Sequence, residues 1–423
     1  MRTIRKFIVP AIILILALAV VGLLIFIKNQ PEPLRGVTPL VNIDTMESDS
    51  AKWGVNFPNQ YSTLLKTLTN NQRTTYGGSD PVDKLSLDPR LKKLFEGYSF
   101  AKSYNEERGH LNSLTDVRST PRLSDKTPAT CYTCKSSDNP KLWNDLGVKA
   151  YDAMSFKDMT DKISHPIGCA NCHEANTMKL IVTNPALEEA LKSQGKEWQS
   201  FTRQEMRTVV CANCHVEYYM AQPGNFLTFP WKNGTTIDDI DGYYQEISFS
   251  DWKHAKSEAE LIKIQHPEYE MYTAGSTHFN AGVSCADCHM PYVRDGSAKF
   301  SSHDVKSPLL NSQQTCSACH TDVDYVTERV KIIQKQVNTT MLSTEDAIVE
   351  AIDAISAANS VATSDKKLIE EAKNLHRRAQ IRWDYTAAEN SMGFQNPEET
   401  LRILAESTNL ARQAQIKALQ AVK

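Results

Sequence analysis

A mainly α-helical fold, closed at its C-terminal end by long helices, is what this 423-residue sequence predicts. Three observations carry that prediction. Between residues 46 and 322 almost nothing alternates with the apolar–polar period of a strand. From 323 to 423 helix formers dominate, with apolar residues recurring on one face. All ten cysteines fall into five Cys-x-x-Cys pairs, with none left over. Groups held on such pairs would fill the interior and reduce the aliphatic core the chain must build for itself.

The chain begins with Arg2, Arg5 and Lys6, followed by an apolar stretch from Phe7 to Ile27. At ~1.5 Å per residue, a helix of this length reaches about 30 Å, a bilayer crossing. The basic flank predicts an N-terminus inside and a body outside. After Ile27 comes Lys-Asn-Gln-Pro rather than a small-x-small cleavage site. Residues 1–45 therefore read as an uncleaved membrane anchor and polar linker, with a cleaved signal as the alternative. The body is then expected at the outer face of the cytoplasmic membrane or in the periplasm. The formal net charge of −3 gives no electrostatic reason to bind nucleic acid.

Residues 46–322 form the second region. Helical pieces are expected at Tyr61–Leu68 and Leu91–Tyr98, and the cysteine pairs follow at 131/134, 169/172, 211/214, 285/288 and 316/319. After Thr321 cysteines stop. In the third region, 323–423, Thr344-Glu345-Asp346 reads as a helix start and Ser364-Asp365 as the cap of the next helix. Asn396-Pro397-Glu398-Glu399 reads as a third start: a capping side chain, proline in the first turn, then two acids at the positive end of the dipole. Leu401, Leu404, Leu410, Ile416 and Leu419 mark its apolar face, which packs on the rest of the chain or forms a subunit interface.

Four of the pairs are followed at once by histidine: His173, His215, His289 and His320. A disulfide framework would not space every pair identically. Zinc sites take two pairs per metal, and five pairs do not divide that way. Cys-x-x-Cys-His is the attachment motif of c-type haem, with two thioether bonds and an axial imidazole. Pair by pair, the candidates are Cys169, Cys172 and His173; Cys211, Cys214 and His215; Cys285, Cys288 and His289; Cys316, Cys319 and His320.

The first pair, Cys131 and Cys134, is followed instead by Lys135. Lysine ligates iron only as the neutral amine, so its high pKa must be depressed. That is an expensive arrangement for electron transfer alone. It suits a haem whose sixth position is open to a small substrate. Seven histidines lie outside the motifs, at 110, 165, 254, 266, 278, 303 and 376, and several of them could supply second ligands to the other irons.

With these motifs the chain resembles the pentahaem cytochrome c nitrite reductases, the ammonia-forming family, from about residue 55 to the C-terminus. The resemblance rests on the single Cys-x-x-Cys-Lys placed first, the four Cys-x-x-Cys-His segments, Arg108-Gly109-His110, Glu217-Tyr218, Lys263–Glu268 and Cys285–Pro291. It implies five covalently bound haem c groups, calcium, a homodimer, and electrons from a membrane quinol-oxidising cytochrome. It implies Lys135 as proximal ligand of the catalytic haem, with Arg118, Tyr218 and His266 on the open side and Arg122 as second candidate for the arginine. Glu217, Tyr218, Lys263 and Gln265 are implied as calcium ligands, partly through backbone carbonyls. His110, His278 and His303 are implied as distal ligands of the third, fifth and second haems.

The activity implied is six-electron reduction of nitrite to ammonium. A non-enzymatic multihaem electron carrier, or a reductase preferring hydroxylamine or sulfite, are the competing readings. One position departs from the family. In Ser391–Pro397, Gln395 stands where the family has the distal histidine of the fourth haem. That iron, on His289, is expected to be five-coordinate, water-bound or ligated by Met392.

Overall fold

The computed structural model describes residues 14–23, 39–106 and 108–422. The chain divides into two units, Met1–Asn42 and Ile43–Lys423. In the first, residues 14–23 form a helix with every side chain exposed. The rest of the expected 7–27 anchor lies outside the described residues. Among the described residues, no helix is long and apolar enough to cross a membrane.

In the second unit, short helices and single 3-10 turns follow one another from Ser50 to Ala318. Three two-stranded antiparallel sheets interrupt them: Tyr219–Ala221 with Phe226–Thr228, Trp252–Lys253 with Glu260–Leu261, and Tyr292–Asp295 with Ala298–Ser301. Helix accounts for 56% and strand for 7%, so the fold is mainly α, as expected. The piece expected at 61–68 is the helix Pro58–Thr69, opened by proline in its first turn. The piece expected at 91–98 is shorter, Arg90–Leu94.

Three long helices end the chain: Val323–Ser360, Lys366–Ala388 and Pro397–Ala421. The side chain of Asp322 caps the first by accepting from the Tyr325 N–H, and Asp365 caps the second by accepting from Lys367 and Leu368. Two expected starts differ. Thr344 lies inside the first helix, which neither glycine nor proline interrupts, and its hydroxyl donates to Thr340 O at 2.9 Å. Asn396 makes no cap bond. Its amide donates to Met271 O (3.1 Å) and Ala274 O (3.2 Å), which ties the third helix to the segment after His266.

The buried stripe of the third helix runs through Leu404, Ser407, Ala411, Ala414, Ala418 and Ala421. These steps of three and four keep small residues facing the other two helices, so the axes approach closely. Ile416 and Leu419 were expected on that face but are 53% and 55% exposed. They sit between the stripe positions and are carried round to solvent. From the second helix, buried Trp383 packs on Phe95, with ring centroids 5.7 Å apart. Gln380 donates to Leu94 O (2.7 Å). The long helices thus form a platform against which the 85–104 segment is set.

Candidate active site

The cysteine pairs lie on or beside short helical turns, such as Cys169–Asn171 and Cys285–His289. In three motifs the histidine N–H closes that turn onto the first cysteine's carbonyl: His173 to Cys169 O, His215 to Cys211 O and His320 to Cys316 O, at 2.8–3.0 Å. Lys135 closes a tighter turn onto Tyr132 O at 2.9 Å. All ten cysteines are free of disulfides.

Two motif histidines each lie beside a histidine distant in sequence. His173 and His303 have ring centroids 6.3 Å apart, as do His278 and His320. In the first pair the Nδ1 atoms turn outward, His173 to Met178 O (2.9 Å) and His303 to Ser301 O (3.0 Å). The Nε2 atoms then face inward, as two axial ligands of one iron require. Burial lowers the pKa of His303 to about 4 and also lowers that of His173, which favours the neutral, metal-ligating form. His110 is likewise pushed down to about 4, first by burial and then by the charges of His215 and His303. The residues fit haem: paired sulfurs, an adjacent imidazole, and a facing imidazole at matching separation.

The first motif is braced from behind. Tyr132 stacks on Phe156 at 4.1 Å, and its hydroxyl meets Thr160 Oγ1 at 2.9 Å. Arg118, expected on the open side, belongs to this brace. It donates to Tyr132 OH (3.1 Å), Ile163 O (2.7 Å) and Thr160 O (3.1 Å), so its guanidinium is committed to the scaffold. The second candidate, Arg122, is placed differently. Its guanidinium lies 4.2 Å from the Phe100 ring centroid and lines a cavity of about 270 Å³ with Ser103, Arg108 and Asp116. Its charge reaches Cys131, whose thiol burial raises to about 11 against the pull of Lys135 and Arg122.

Tyr218 lies within electrostatic reach of both Cys131 and Cys134, and burial raises its pKa well above the ordinary value, so it remains a phenol. Tyr98 lies in the same neighbourhood, within reach of Arg122 and Cys131, and stacks on Trp252 at 4.5 Å. No local motif marks Tyr98, and sequence reasoning missed it. His266 follows an extended run and meets the turn at Pro267, where Glu268 begins the helix Glu268–Thr273. Glu268 is buried, and its Oε1 lies 4.0 Å from His266 Nδ1. Burial works to raise its pKa, but the partnership with His215 and the charge of His266 outweigh that and hold it at about 2.

The residues expected to hold calcium converge beside this segment. Glu217 is fully buried, and its carboxylate accepts from Tyr244 OH (2.7 Å) and Gln265 N (2.6 Å). Gln265 Nε2 lies 3.1 Å from Lys263 O, while the Lys263 ammonium turns away to Asp384. Burial, with Glu270 and Asp251 nearby, raises the Glu217 pKa well above the carboxylate range. Among the described residues, no group of three or more His, Cys, Asp or Glu surrounds a metal position. The set is one carboxylate, one side-chain amide and backbone carbonyls. These are hard oxygen donors in a region with excess negative charge, and they fit calcium.

Gln395 is engaged elsewhere. With its amide oriented to satisfy both neighbours, it donates to Glu389 Oε1 and Glu268 O, each at 3.2 Å. Met392 packs against the core cluster that includes Val337 and Leu404. His289 turns Nδ1 to Lys306 O at 3.0 Å. Of the other three histidines, His254 and His376 pack edge-on at 5.6 Å, and His165 binds Asp138 at 2.8 Å.

Comparison with known proteins agrees with this construction. Cytochrome c-552 of Bacteroides fragilis is 39% identical over 385 residues, covering 89% of this chain and 78% of that protein. The Parabacteroides distasonis cytochrome c-552 is 38% identical over 384 residues, covering 88% and 77%. Among solved structures, the catalytic subunit of cytochrome c nitrite reductase from Desulfovibrio desulfuricans, described with two calcium sites, superposes with a TM-score of 0.85. It is 35% identical and covers 89% of this chain and 87% of its own. The cytochrome c552 family profile matches residues 49–423. With its five haem-binding pairs set in this fold, the chain belongs to the cytochrome c552 family.

Proposed function

We propose that this chain reduces nitrite to ammonium at the site formed by Cys131, Cys134 and Lys135, with five haem c groups and calcium as cofactors. The observation that supports the reading is the one cysteine pair that ends in lysine, set in a fold that superposes on a cytochrome c nitrite reductase with a TM-score of 0.85. Haem bound there supplies a redox-active iron with a position for a small oxoanion. Arg122, taking the role first given to Arg118, draws the anion in and stabilises negative charge as N–O bonds lengthen. The reduction consumes six electrons and eight protons and releases two waters. His266 and Tyr218 serve as the proton donors, and the Glu268 carboxylate lies 4.0 Å from His266 Nδ1.

Calcium held by Glu217, Gln265 and the carbonyls of Tyr218 and Lys263 would fix Tyr218 and the His266 segment to one another. His110, His278 and His303 serve as second ligands opposite His215, His320 and His173. Residues 1–45 act as anchor and linker, 46–322 as the pentahaem region and 323–423 as the helical region of a homodimer. Exposed Ile332, Ile416 and Leu419 on the long helices support self-association. An exported position beside a membrane quinol-oxidising cytochrome donor follows from the basic, apolar N-terminus.

The test is turnover driven by reduced methyl viologen, with ammonium quantified for the wild type, Lys135→His and His266→Ala. Wild-type turnover of nitrite with both variants strongly impaired is expected. Full activity in both variants would sink the site assignment. Turnover of hydroxylamine or sulfite but not nitrite would favour the competing substrates.

A further inference from the structure

Glu268 stands between two histidines of different duty. Its Oε2 lies 3.7 Å from Nδ1 of His215, the axial histidine of the third motif, and its Oε1 lies 4.0 Å from Nδ1 of His266. The two rings have centroids 6.3 Å apart, the separation of the facing pairs described above. Yet both present Nδ1 to the same carboxylate, so what lies between them is Glu268 and not a shared iron. The carboxylate is pinned. Asn390 Nδ2 donates to Oε1 at 2.5 Å, and the Tyr269 N–H donates to His215 O at 3.1 Å, joining the turn after Pro267 to the third motif.

Other axial histidines are served by neutral acceptors. His173 faces Met178 O and His289 faces Lys306 O, both backbone carbonyls. A carboxylate at ion-pair distance acts on the ring through its field: it stabilises positive charge on the imidazole and on the iron behind it, which lowers that iron's potential. The third motif also adjoins the first, since Cys134 Sγ lies 3.8 Å from Asn213 O.

We propose that Glu268 is a positioning residue joining the third haem to the substrate side of the first: one oxygen makes His215 an electron-rich axial ligand, and the other orients His266. The role at His266 rests on the nitrite reading above, whereas the effect on His215 stands without it.

The test uses the haem-loaded protein as wild type, Glu268→Gln and Glu268→Asp. Potentiometric titration is followed by near-infrared magnetic circular dichroism, whose charge-transfer band moves with imidazolate character. In Glu268→Gln the midpoint of one bis-histidine haem rises and its band shifts, with the other haems unmoved. Glu268→Asp, which keeps the charge one methylene further back, gives a smaller shift of the same sign. Nitrite kcat falls at least tenfold in Glu268→Gln, with KM changed less. Unmoved midpoints and bands in both haem-complete variants overturn the proposal, even if turnover falls. If the wild type does not reduce nitrite, the functional reading fails while the potentials still decide the role at His215.

Discussion

Lys263 Nζ lies 2.9 Å from Asp384 Oδ1, with both side chains almost wholly buried. The ammonium also donates to Ile264 O and sits among the rings of Phe95, Phe100 and Tyr104, 5.1–5.5 Å from their centroids. Asp384 Oδ2 accepts from the Ile264 N–H at 2.9 Å. A residue of the second long helix therefore holds the run that ends in His266.

Removing one partner leaves a charge buried without compensation, which costs about 3–5 kcal/mol. Asp384→Ala should lose stability on that scale in denaturant unfolding of the haem-loaded protein, and nitrite turnover should fall because the His266 segment loosens. A loss below about 1 kcal/mol would show that the pair is not the clamp.

The two arginines should separate by phenotype. Arg122→Gln should lower kcat/KM for nitrite by about 10²-fold, the scale of one preorganised charge-stabilising donor. Arg118→Gln frees the carbonyls of Thr160 and Ile163 and should cost about 1–3 kcal/mol in stability, with turnover within a few-fold of wild type. Steady-state kinetics beside thermal unfolding distinguishes them. The reverse pattern would return Arg118 to the site.

The fourth haem should be a second iron without two histidines. The Gln395 amide is held by Glu389 and Glu268, and Met392 is packed in the helical core, so neither is placed to take the family histidine's role. Magnetic spectroscopy of the oxidised protein should show two haems per chain that are not bis-histidine, and cyanide should perturb both. Four bis-histidine spectra would contradict this.

What could be read from the sequence was what short spacing encodes. The cysteine pairs and the odd Lys135 are local patterns, because one turn of backbone must place two sulfurs and a ligand together. The positions of the arginines were not local. Arg118 and Arg122 are four residues apart in similar company, and only packing of the 156–163 segment commits one of them to the scaffold. Glu268 was visible within the Lys263–Glu268 run, but its partner His215 is distant in sequence. Asp384 is 121 residues from Lys263. The C-terminal stripe misled for another reason: a face drawn through the large apolar residues overlooks alanines, and close helix packing selects those.

Glu345 should make stability depend on pH. It is buried inside the first long helix, accepts from Trp383 Nε1 at 3.1 Å, and lies 3.1 Å from Arg90. Burial first, and then the Asp88 carboxylate beside it, raise its pKa from 4.5 to about 9. The unfolded chain therefore releases this proton first. The stabilising contribution is whole below pH 4.5 and is lost progressively as pH climbs through about 9. Asp88 has the opposite sign: lowered from 3.8 to about 2, it matters only in acid below that window. Glu345→Gln keeps the shape and fixes the group neutral, so the variant should gain on the wild type steadily from pH 5 to pH 9. Unfolding midpoints of both proteins across that range decide it. A constant difference would mean that Glu345 is ionised throughout, with Arg90 prevailing over burial and Asp88.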